Sequence, residues 1–249
     1  MVKMLIIEPV GGLCNRMYAI HSAANLARTF NCPLTLVWEE SSELGARFDQ
    51  LFKPSAAFLR TYEFCKNRDN LAQHLRHKII LSLFLTRLGP KFQPQQIKNM
   101  VEDGFDFESL PDLQQKISEI TRTFSKTVGI HIRRSDHKLS RQFSPTHLLL
   151  DAMKEELQRE PATNLFLSTD DTEEERLLIE RFGERVRIYR KRSHARNELE
   201  AMQDAVIDLF CLAATERIIG SYESTFTDVA SRLGRISLQL INKNSGNDA

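Results

Sequence analysis

The chain has 249 residues, enough for one large or two small domains with a sizeable hydrophobic core. Hydrophobic residues make up 41% and charged residues 27%, a balance typical of globular proteins, and the formal net charge is +1. So small a charge does not favour binding to nucleic acid or to a membrane surface, and any anion site must be local. The four cysteines, Cys14, Cys32, Cys65 and Cys211, are widely spaced, which indicates reduced thiols in a cytoplasmic protein and no zinc site.

The N-terminal segment predicts a strand, a glycine turn, a helix and a second strand. Met1–Ile7 has one lysine and no small-residue cleavage site, so it is expected to begin a strand and not a signal peptide, and the apolar strand spans Lys3–Val10. The turn Gly11-Gly-Leu-Cys-Asn-Arg16 leads into apolar residues at helical spacing, and Pro33–Trp38 predicts the second strand. Such a turn can bring backbone amides against a phosphate. A tight turn without a ligand explains the glycines as well, because the full G-x-G-x-x-G pattern is absent.

The middle of the chain is less regular. Leu71–Leu88 predicts a helix in which basic residues are interspersed with large apolar ones. It is either a core helix, which we favour, or an amphipathic surface for a lipid-linked acceptor. The longest apolar run, Ile79–Leu85, is far too short to span a bilayer, so stable membrane insertion is not expected. Leu113–Thr123 predicts the helix that leads into the second half.

From Lys126 onward, strands and helices alternate regularly. The predicted strands are the one that ends at His131, followed by Asn164–Thr169, Arg185–Arg190, Arg217–Gly220 and Ile236–Ile241. The predicted helices begin at Ser144-Pro145, follow Asp170-Asp171, and span Glu198–Thr215 and Thr225–Leu233. Ser144 is expected to cap its helix, with Pro145 in the first turn. Repeated units of this kind predict an α/β fold with a parallel, doubly wound sheet.

Three polar clusters directly follow strands of this second half. They are His131 with Arg133, Arg134 and Asp136; Ser168–Asp171; and Ser221–Phe226. The carboxyl ends of parallel strands share one edge of a sheet, and ligands bind beyond that edge in open α/β folds. Two adjacent arginines suit a diphosphate, because each guanidinium is a permanent charge with its donors arranged as a fork. The alternative for Arg134 and Asp136 is a surface ion pair.

The other two clusters also have two interpretations each. Ser224, Thr225 and the amides of Thr225 and Phe226 offer an anion site at a helix N-terminus, or they simply cap that helix. Asp170 and Asp171 could hold magnesium, or cap the following helix. The neighbouring arginines already supply positive charge, which disfavours the magnesium interpretation.

Taken together, these segments resemble the motifs of a fucosyltransferase superfamily. The resemblance is carried by His131-Ile-Arg-Arg-Ser-Asp136, Phe166-Leu-Ser-Thr-Asp-Asp171 and Ile219-Gly-Ser-Tyr-Glu-Ser-Thr-Phe226, in this order and at these intervals. The superfamily comprises the α1,6-fucosyltransferases, including the rhizobial nodulation enzyme, and the protein O-fucosyltransferases. Gly11–Arg16 is similar to its N-terminal G-G-x-G-N-[QR] turn, with Cys14 in place of the third glycine.

The resemblance implies a GT-B-like architecture, with two Rossmann-like domains facing a cleft. Residues 1–125 would form the acceptor-side domain and residues 126–249 the nucleotide-sugar-binding domain. The implied activity is inverting, metal-independent transfer of fucose from GDP-fucose to a saccharide or glycolipid-precursor acceptor, without a cofactor. A cytoplasmic enzyme of bacterial type fits better than protein O-fucosylation. The alternative is a GDP-sugar-binding protein without transferase activity, favoured by Cys14 and by the short region before Lys126.

The resemblance also assigns roles to single residues. Arg133 would bind the β-phosphate and be essential for transfer. The other donor-binding residues would be Asn15, Arg16, His131, Arg134, Asp136, Asp170, Asp208, Ser224, Thr225 and Phe226, with His131 and Asp208 facing the guanine.

Some assignments stay open at this point. Asp208 lies in the apolar segment Ala205–Phe210, so a buried structural ion pair with an arginine is the competing role. Asp136, Asp170 and Glu223 are all candidates for the general base. The basic loop Arg190–Arg196 follows a strand and could receive an anionic acceptor, remain a solvated charge run, or bind nucleic acid, which the near-neutral charge disfavours.

Overall fold

The computed structural model describes residues 5–29, 31, 33–54, 62–65, 107–135 and 137–243. The chain forms two compact units, of which the first contains Met1–Leu110 with Ala195–Met202 and the second contains Pro111–His194 with Gln203–Ala249. Within the described ranges, no helix has the length and apolar character needed to cross a membrane. The helix predicted at Leu71–Leu88 lies outside the described residues.

The first unit contains a parallel sheet of three described strands in the order β1-β2-β4. These strands are β1 (Leu5–Ile7), β2 (Leu34–Val37) and β4 (Tyr62–Cys65). Helix α1 (Leu13–Thr29) connects β1 to β2, and β3 (Phe52–Lys53) pairs antiparallel with β5 (Glu108–Ser109). The buried residues of α1 recur every three or four positions: Met17, Ile20, Ala23 and Ala27. The strand–turn–helix–strand order predicted for the N-terminus is therefore confirmed.

The second unit is built on a sheet of five parallel strands in the order β10-β9-β6-β7-β8. The strands are β6 (Thr127–Ile132), β7 (Asn164–Thr169), β8 (Val186–Ile188), β9 (Arg217–Ser221) and β10 (Ser237–Ile241). The helices after residue 110 are α2 (Pro111–Thr121), α3 (Lys138–Phe143), α4 (Thr146–Arg159), α5 (Thr172–Phe182), α6 (Leu199–Ala213) and α7 (Thr225–Gly234). The parallel sheet predicted for this half is confirmed.

The two faces of this sheet have different characters. Val128, Ile130 and Ile132 of β6 point to one face, where they pack with side chains of α4 and α5 such as Met153 and Leu178. The alternate residues of β6 include Gly129, where an added Cβ would come within 2.8 Å of the Thr215 hydroxyl and 3.0 Å of the Leu212 side chain. The chain that follows β8 therefore packs closely on the second face, and that face carries His131.

The strand order reverses at the centre of the sheet. The chain runs from β6 outward through β7 to β8, then crosses to the other side and continues through β9 to β10. The connections that follow β6 and β9 therefore run in opposite directions, which makes the carboxyl ends of these two strands a topological switch point. In open α/β sheets such a switch point is where ligands bind.

The predicted cap at Ser144 is wrong. Pro145 is the N-cap of α4, and Ser144 ends the short helix α3, which the sequence did not predict. The buried Ser144 hydroxyl donates to the Ile241 carbonyl over 2.5 Å and accepts from the Tyr222 amide over 2.7 Å. Ser144 thus stabilises the contact between the ends of β9 and β10 instead of capping a helix.

Candidate functional site

Arg133 lies directly after the central strand β6 and is held at both its backbone and its side chain. Its amide donates to the Ser221 hydroxyl over 3.1 Å, which ties the end of β6 to the end of β9. Its carbonyl accepts from the Ser140 hydroxyl over 2.8 Å. Its guanidinium donates through Nη1 to Asp170 Oδ2 over 2.5 Å, and its side chain is 21% exposed. A permanent positive charge is therefore fixed at the switch point of the sheet while still reaching solvent.

Asp170, at the end of β7, binds the whole turn that follows β6. Its Oδ1 accepts from the Arg134 amide over 2.7 Å, while Oδ2 accepts from Arg133 and from the Ser135 hydroxyl over 2.6 Å. Burial raises the pKa of the Asp170 carboxyl, but the Arg133 guanidinium, the Ser135 hydroxyl and the Arg134 amide outweigh burial and keep that pKa below its usual range. Asp170 therefore stays ionised and is a weak proton acceptor.

Arg134 has a different role from Arg133, although the two are adjacent. Its side chain is buried, and Nε donates to Glu174 Oε1 of α5 over 2.6 Å. Nη1 also donates to the Arg133 carbonyl over 3.0 Å, and Nη2 donates to the Thr146 hydroxyl over 3.3 Å. These contacts anchor the turn after β6 to α4 and α5. The two arginines do not form one diphosphate clamp here, since only the side chain of Arg133 is held beside Asp170 at the strand end.

His131 is buried between the sheet and the N-terminal turn of α7. Its ring stacks on Phe226 with centroids 4.9 Å apart, and Nδ1 lies 2.7 Å from the Thr227 hydroxyl and 3.4 Å from the Ser224 hydroxyl. Burial lowers the pKa of His131 to about 3; Arg133 and Lys191 act in the same direction, while Asp170 opposes them. The imidazole is therefore neutral at physiological pH.

The turn between β9 and α7 brings the third cluster against the first. Ser224 is the N-cap of α7, and the preceding exposed Glu223 adopts a left-handed backbone with φ 52°. At Gly220, an added Cβ would lie 2.3 Å from Thr227 Cγ2, so only glycine allows α7 to approach β9 this closely. Thr225 and Phe226 are half-buried at the start of α7, where the Phe226 ring lies against His131.

Asp208 of α6 is fully buried and paired with a lysine, not with an arginine. Its Oδ2 accepts from Lys191 Nζ and from the Ser168 hydroxyl, each over 2.8 Å, and Lys191 also donates to the Thr169 carbonyl. Within the described part of the chain, Asp208 Oδ1 is buried without a hydrogen-bond partner. Burial raises the pKa of this carboxyl, against the opposing effects of Lys191 and Ser168.

The basic loop Arg190–Arg196 is tied down by carboxylates of α6. Arg192 donates through Nε and Nη2 to Asp204 Oδ1 over 2.9 and 2.7 Å, and Tyr189 donates to the same oxygen over 2.8 Å. Asp204 is completely buried. The sequence interpretation overlooked Asp204 and Lys191. The sequence could have indicated Asp204, because Asp204 and Asp208 are four residues apart and so share one face of the predicted helix.

In the first unit, Asn15 and Arg16 differ sharply. The Arg16 guanidinium is buried over the Trp38 ring, with its carbon 4.9 Å from the ring centroid. It donates to the Gly11 carbonyl over 2.7 Å, to the Glu39 carbonyl over 2.5 Å and to the Ser41 hydroxyl over 3.0 Å. Arg16 thus connects the loops that follow β1 and β2, whereas Asn15 is exposed.

The structure therefore brings most of the predicted residues of the second unit to one region. His131, Arg133 and Asp170 lie together with Ser224 and Phe226 around the ends of β6, β7 and β9, and Asp208 joins them through Ser168. Asp171 caps α5, where its carboxylate accepts from the amides of Glu173 and Glu174. Asp136 lies outside the described residues.

Neither a protein-family model nor a curated protein matches the sequence. Solved fucosyltransferase structures, however, are similar over nearly the whole chain. Fucosyltransferase NodZ from Bradyrhizobium is 17% identical, with 94% of this chain and 93% of that chain covered and a TM-score of 0.59. NodZ α-1,6-fucosyltransferase soaked with GDP-fucose is 15% identical at the same coverage and TM-score. POFUT1 in complex with GDP is 9% identical, with 96% of this chain and 98% of that chain covered and a TM-score of 0.60. The chain therefore has the GT-B-like fold of fucosyltransferases, as the resemblance implied.

Proposed function

We propose that the chain is an inverting, metal-independent glycosyltransferase that moves fucose, or a closely related sugar, from its GDP-linked donor to a saccharide acceptor. The observation that carries the proposal is the position of Arg133. It is fixed at the switch point of a parallel sheet, in a fold whose solved examples include complexes with GDP and GDP-fucose. A cytoplasmic location, a glycolipid precursor as acceptor and the two-domain GT-B arrangement with its cleft belong to the same proposal.

The chemistry of such a transfer requires what Arg133 can provide. When the bond between the sugar and the diphosphate breaks, the sugar gains oxocarbenium character and the leaving diphosphate gains negative charge. A guanidinium held in place beforehand stabilises this transition state more than the ground state, because it does not have to reorganise during the reaction. A permanent cation at the β-phosphate also makes a metal ion unnecessary for that charge.

The nucleobase would be recognised by neighbouring groups of the same unit. Asp208 Oδ1, which has no hydrogen-bond partner among the described residues, would accept from the N1–H or the exocyclic amine of guanine. Adenine lacks an N–H at the first of these positions. The neutral His131 on Phe226 and the N-terminus of α7 would complete the pocket, since amides at a helix N-terminus favour phosphate oxygens.

A second candidate is a GDP-sugar-binding protein without transferase activity. It is supported by Asp170, whose carboxylate is engaged by four donors and has a lowered pKa, so one of the three base candidates is unsuited to accept a proton. Donor binding without hydrolysis or transfer across a panel of saccharide acceptors would favour this second candidate.

Calorimetric titration with GDP, GDP-fucose, GDP-mannose and UDP-glucose tests the binding part of the proposal. We expect the GDP-linked compounds to bind at least about tenfold more tightly than UDP-glucose, the effect of about 1.4 kcal/mol of differential binding. Release of GDP from GDP-fucose in the presence of acceptors tests the transfer. Equal binding of all four compounds, or none, would contradict the proposal.

A further inference from the structure

We propose that Asp170 is a positioning residue, which orients the Arg133 guanidinium for a diphosphate and does not itself contact the donor. The inference rests on the proposed function, because it concerns the same site. Asp170 is then neither a donor-binding residue nor a proton acceptor, but the residue that orients Arg133 at the end of the neighbouring strand.

The first argument is the way in which the two carboxylate oxygens divide their contacts. Oδ1 accepts from the backbone amide of Arg134 over 2.7 Å and so holds the turn that follows β6 in place. Oδ2 accepts from Arg133 Nη1 over 2.5 Å and from the Ser135 hydroxyl over 2.6 Å. Three consecutive residues after β6 are thus bound by a single side chain from β7. A carboxylate with these partners is already satisfied and has little capacity to bind an additional donor group.

The second argument is that hydrogen bonds hold the backbone at the ends of both β6 and β7. Asp170 follows β7 directly, and the next residue, Asp171, is held by its amide on the Thr169 hydroxyl and by its carboxylate at the start of α5. The backbone of Arg133 is fixed by Ser221 and Ser140. With both backbones held, the ion pair holds Nη1 of the guanidinium beside Asp170, and such preorganisation is what a transition-state contact requires.

A positioning role and a purely electrostatic role predict opposite outcomes. As a nearby negative charge, Asp170 repels a diphosphate, so removing the charge would strengthen the binding of GDP relative to GMP. As a positioning residue, Asp170 makes the β-phosphate contact possible, so disturbing it would weaken that preference. The ratio of the GMP and GDP dissociation constants therefore distinguishes the two roles.

The test uses Asp170→Asn and Asp170→Glu in the full chain, with Asp171→Asn as the matched control. In Asp170→Asn the amide can still accept from Arg134, but it turns an N–H group toward Arg133 and Ser135. Asp170→Glu keeps the charge and displaces it by one methylene. Asp171→Asn makes the same change of charge at the adjacent residue, and asparagine remains a good N-cap.

Calorimetry with GDP and GMP, together with thermal denaturation, gives the readout. We expect both Asp170 variants to lower the preference for GDP by about tenfold, toward that of Arg133→Ala, which is the scale of one charge-assisted hydrogen bond. Asp171→Asn should leave the preference unchanged. In Asp170→Asn combined with Arg133→Ala, the Asp170 change should have no further effect.

Three results would overturn the proposal. A higher preference for GDP in Asp170→Asn, with Asp170→Glu unchanged, would show a charge effect only. A lower melting temperature with an unchanged preference in both variants would show a structural role only. An equal loss in Asp171→Asn would show that the effect is not specific to the ion pair. If the unmodified protein binds neither nucleotide, the proposed function itself has failed.

Discussion

At the scale of single residues, the two adjacent arginines show how the same side chain serves different purposes. Arg133 is partly exposed beside Asp170, whereas Arg134 is buried against Glu174. Consecutive residues at the end of a strand point in opposite directions, so adjacent guanidiniums cannot easily converge on one ligand. This alternation explains why the turn after β6 presents one arginine to a ligand and uses the other to anchor the fold.

Replacement of Arg133 by alanine is expected to impair GDP binding more than folding. The loss of one charge-assisted contact weakens GDP affinity by about tenfold to about a hundredfold, corresponding to about 1.5–3 kcal/mol. Asp170 keeps its bonds from Arg134 and Ser135, so the melting temperature should fall by only a few degrees. Calorimetry and thermal denaturation check both, with the exposed Arg181→Ala as control. Unchanged GDP affinity and turnover would show that Arg133 does not bind the β-phosphate.

His131 makes the stability of the protein sensitive to acid. Its pKa in the folded chain is about 3. The unfolded chain binds a proton at the ordinary histidine value of about 6.5, so the lowered pKa favours unfolding in acid. The stability that neutral His131 contributes is therefore complete above about pH 6.5 and is lost progressively as the pH falls toward the folded value.

We expect His131→Gln to reduce this acid sensitivity. Between about pH 6.5 and pH 5, the free energy of unfolding of the unmodified protein should fall more steeply than that of the variant, by up to about 1.4 kcal/mol per pH unit. Urea titrations at a series of pH values measure the slope. The exposed His147→Gln is the control and should retain the steeper slope. Parallel slopes for the His131 variant and the unmodified protein would show that His131 is not the group responsible.

At the scale of elements, the turn between β1 and α1 depends on one glycine of the doublet. Gly11 has φ 87°, in the left-handed region, and an added Cβ would lie 3.3 Å from Asn15 Nδ2. Gly12 has no neighbouring atom within 4 Å of such a Cβ. The doublet is therefore explained by the geometry of a tight turn at its first position only.

This asymmetry gives a matched pair of variants. Gly11→Ala should lower the free energy of unfolding by about 1–2 kcal/mol, because an L-residue is strained at this φ. Gly12→Ala should change it by less than about 0.5 kcal/mol. Chemical denaturation of both variants provides the comparison. Equal destabilisation by the two substitutions would argue against the turn geometry.

At the scale of the whole molecule, the strand order of the second unit decides where a ligand can bind. The strand order reverses between β6 and β9, and the loops that follow these two strands carry Arg133 and the N-terminus of α7. In the basic loop, by contrast, the guanidinium of Arg192 is already paired with the Asp204 carboxylate of α6. An anion is therefore expected at the switch point and not at the basic loop.

Hydrogen exchange with and without GDP tests this location. Saturating GDP should slow exchange of the amides of Arg133–Ser135 and Tyr222–Phe226, because ligand contact stabilises local structure. Amides at the opposite ends of the same strands, such as those of Thr127 and Arg217, should be unaffected. Protection confined to Arg190–Arg196 would place the nucleotide elsewhere and contradict the proposed site.

Much of the second half of the fold was accessible from the sequence. Hydrophobic runs of strand length, alternating with the helices expected after Ser144-Pro145 and after Asp170-Asp171, predicted the order of β6 to β10. These features are local, since they depend on the period of side chains along one element and on turn chemistry. The three polar clusters after the strands followed from the rule that parallel strands end at one edge.

The partners of the site residues were decided only by the tertiary structure. Arg134 pairs with Glu174, forty positions away, and the capping role expected of Ser144 gave way to bonds with Ile241 and Tyr222. Asp208 pairs with Lys191 of the basic loop, for which the sequence had left an acceptor site, a solvated charge run and nucleic-acid binding open. Which donor meets which acceptor depends on strand register and on the distance between packed helices. Neither can be predicted from the local pattern of residues. The sequence by itself determined where charged groups gather; the packing of β6, β7 and β9 decided which of them remain available to a ligand.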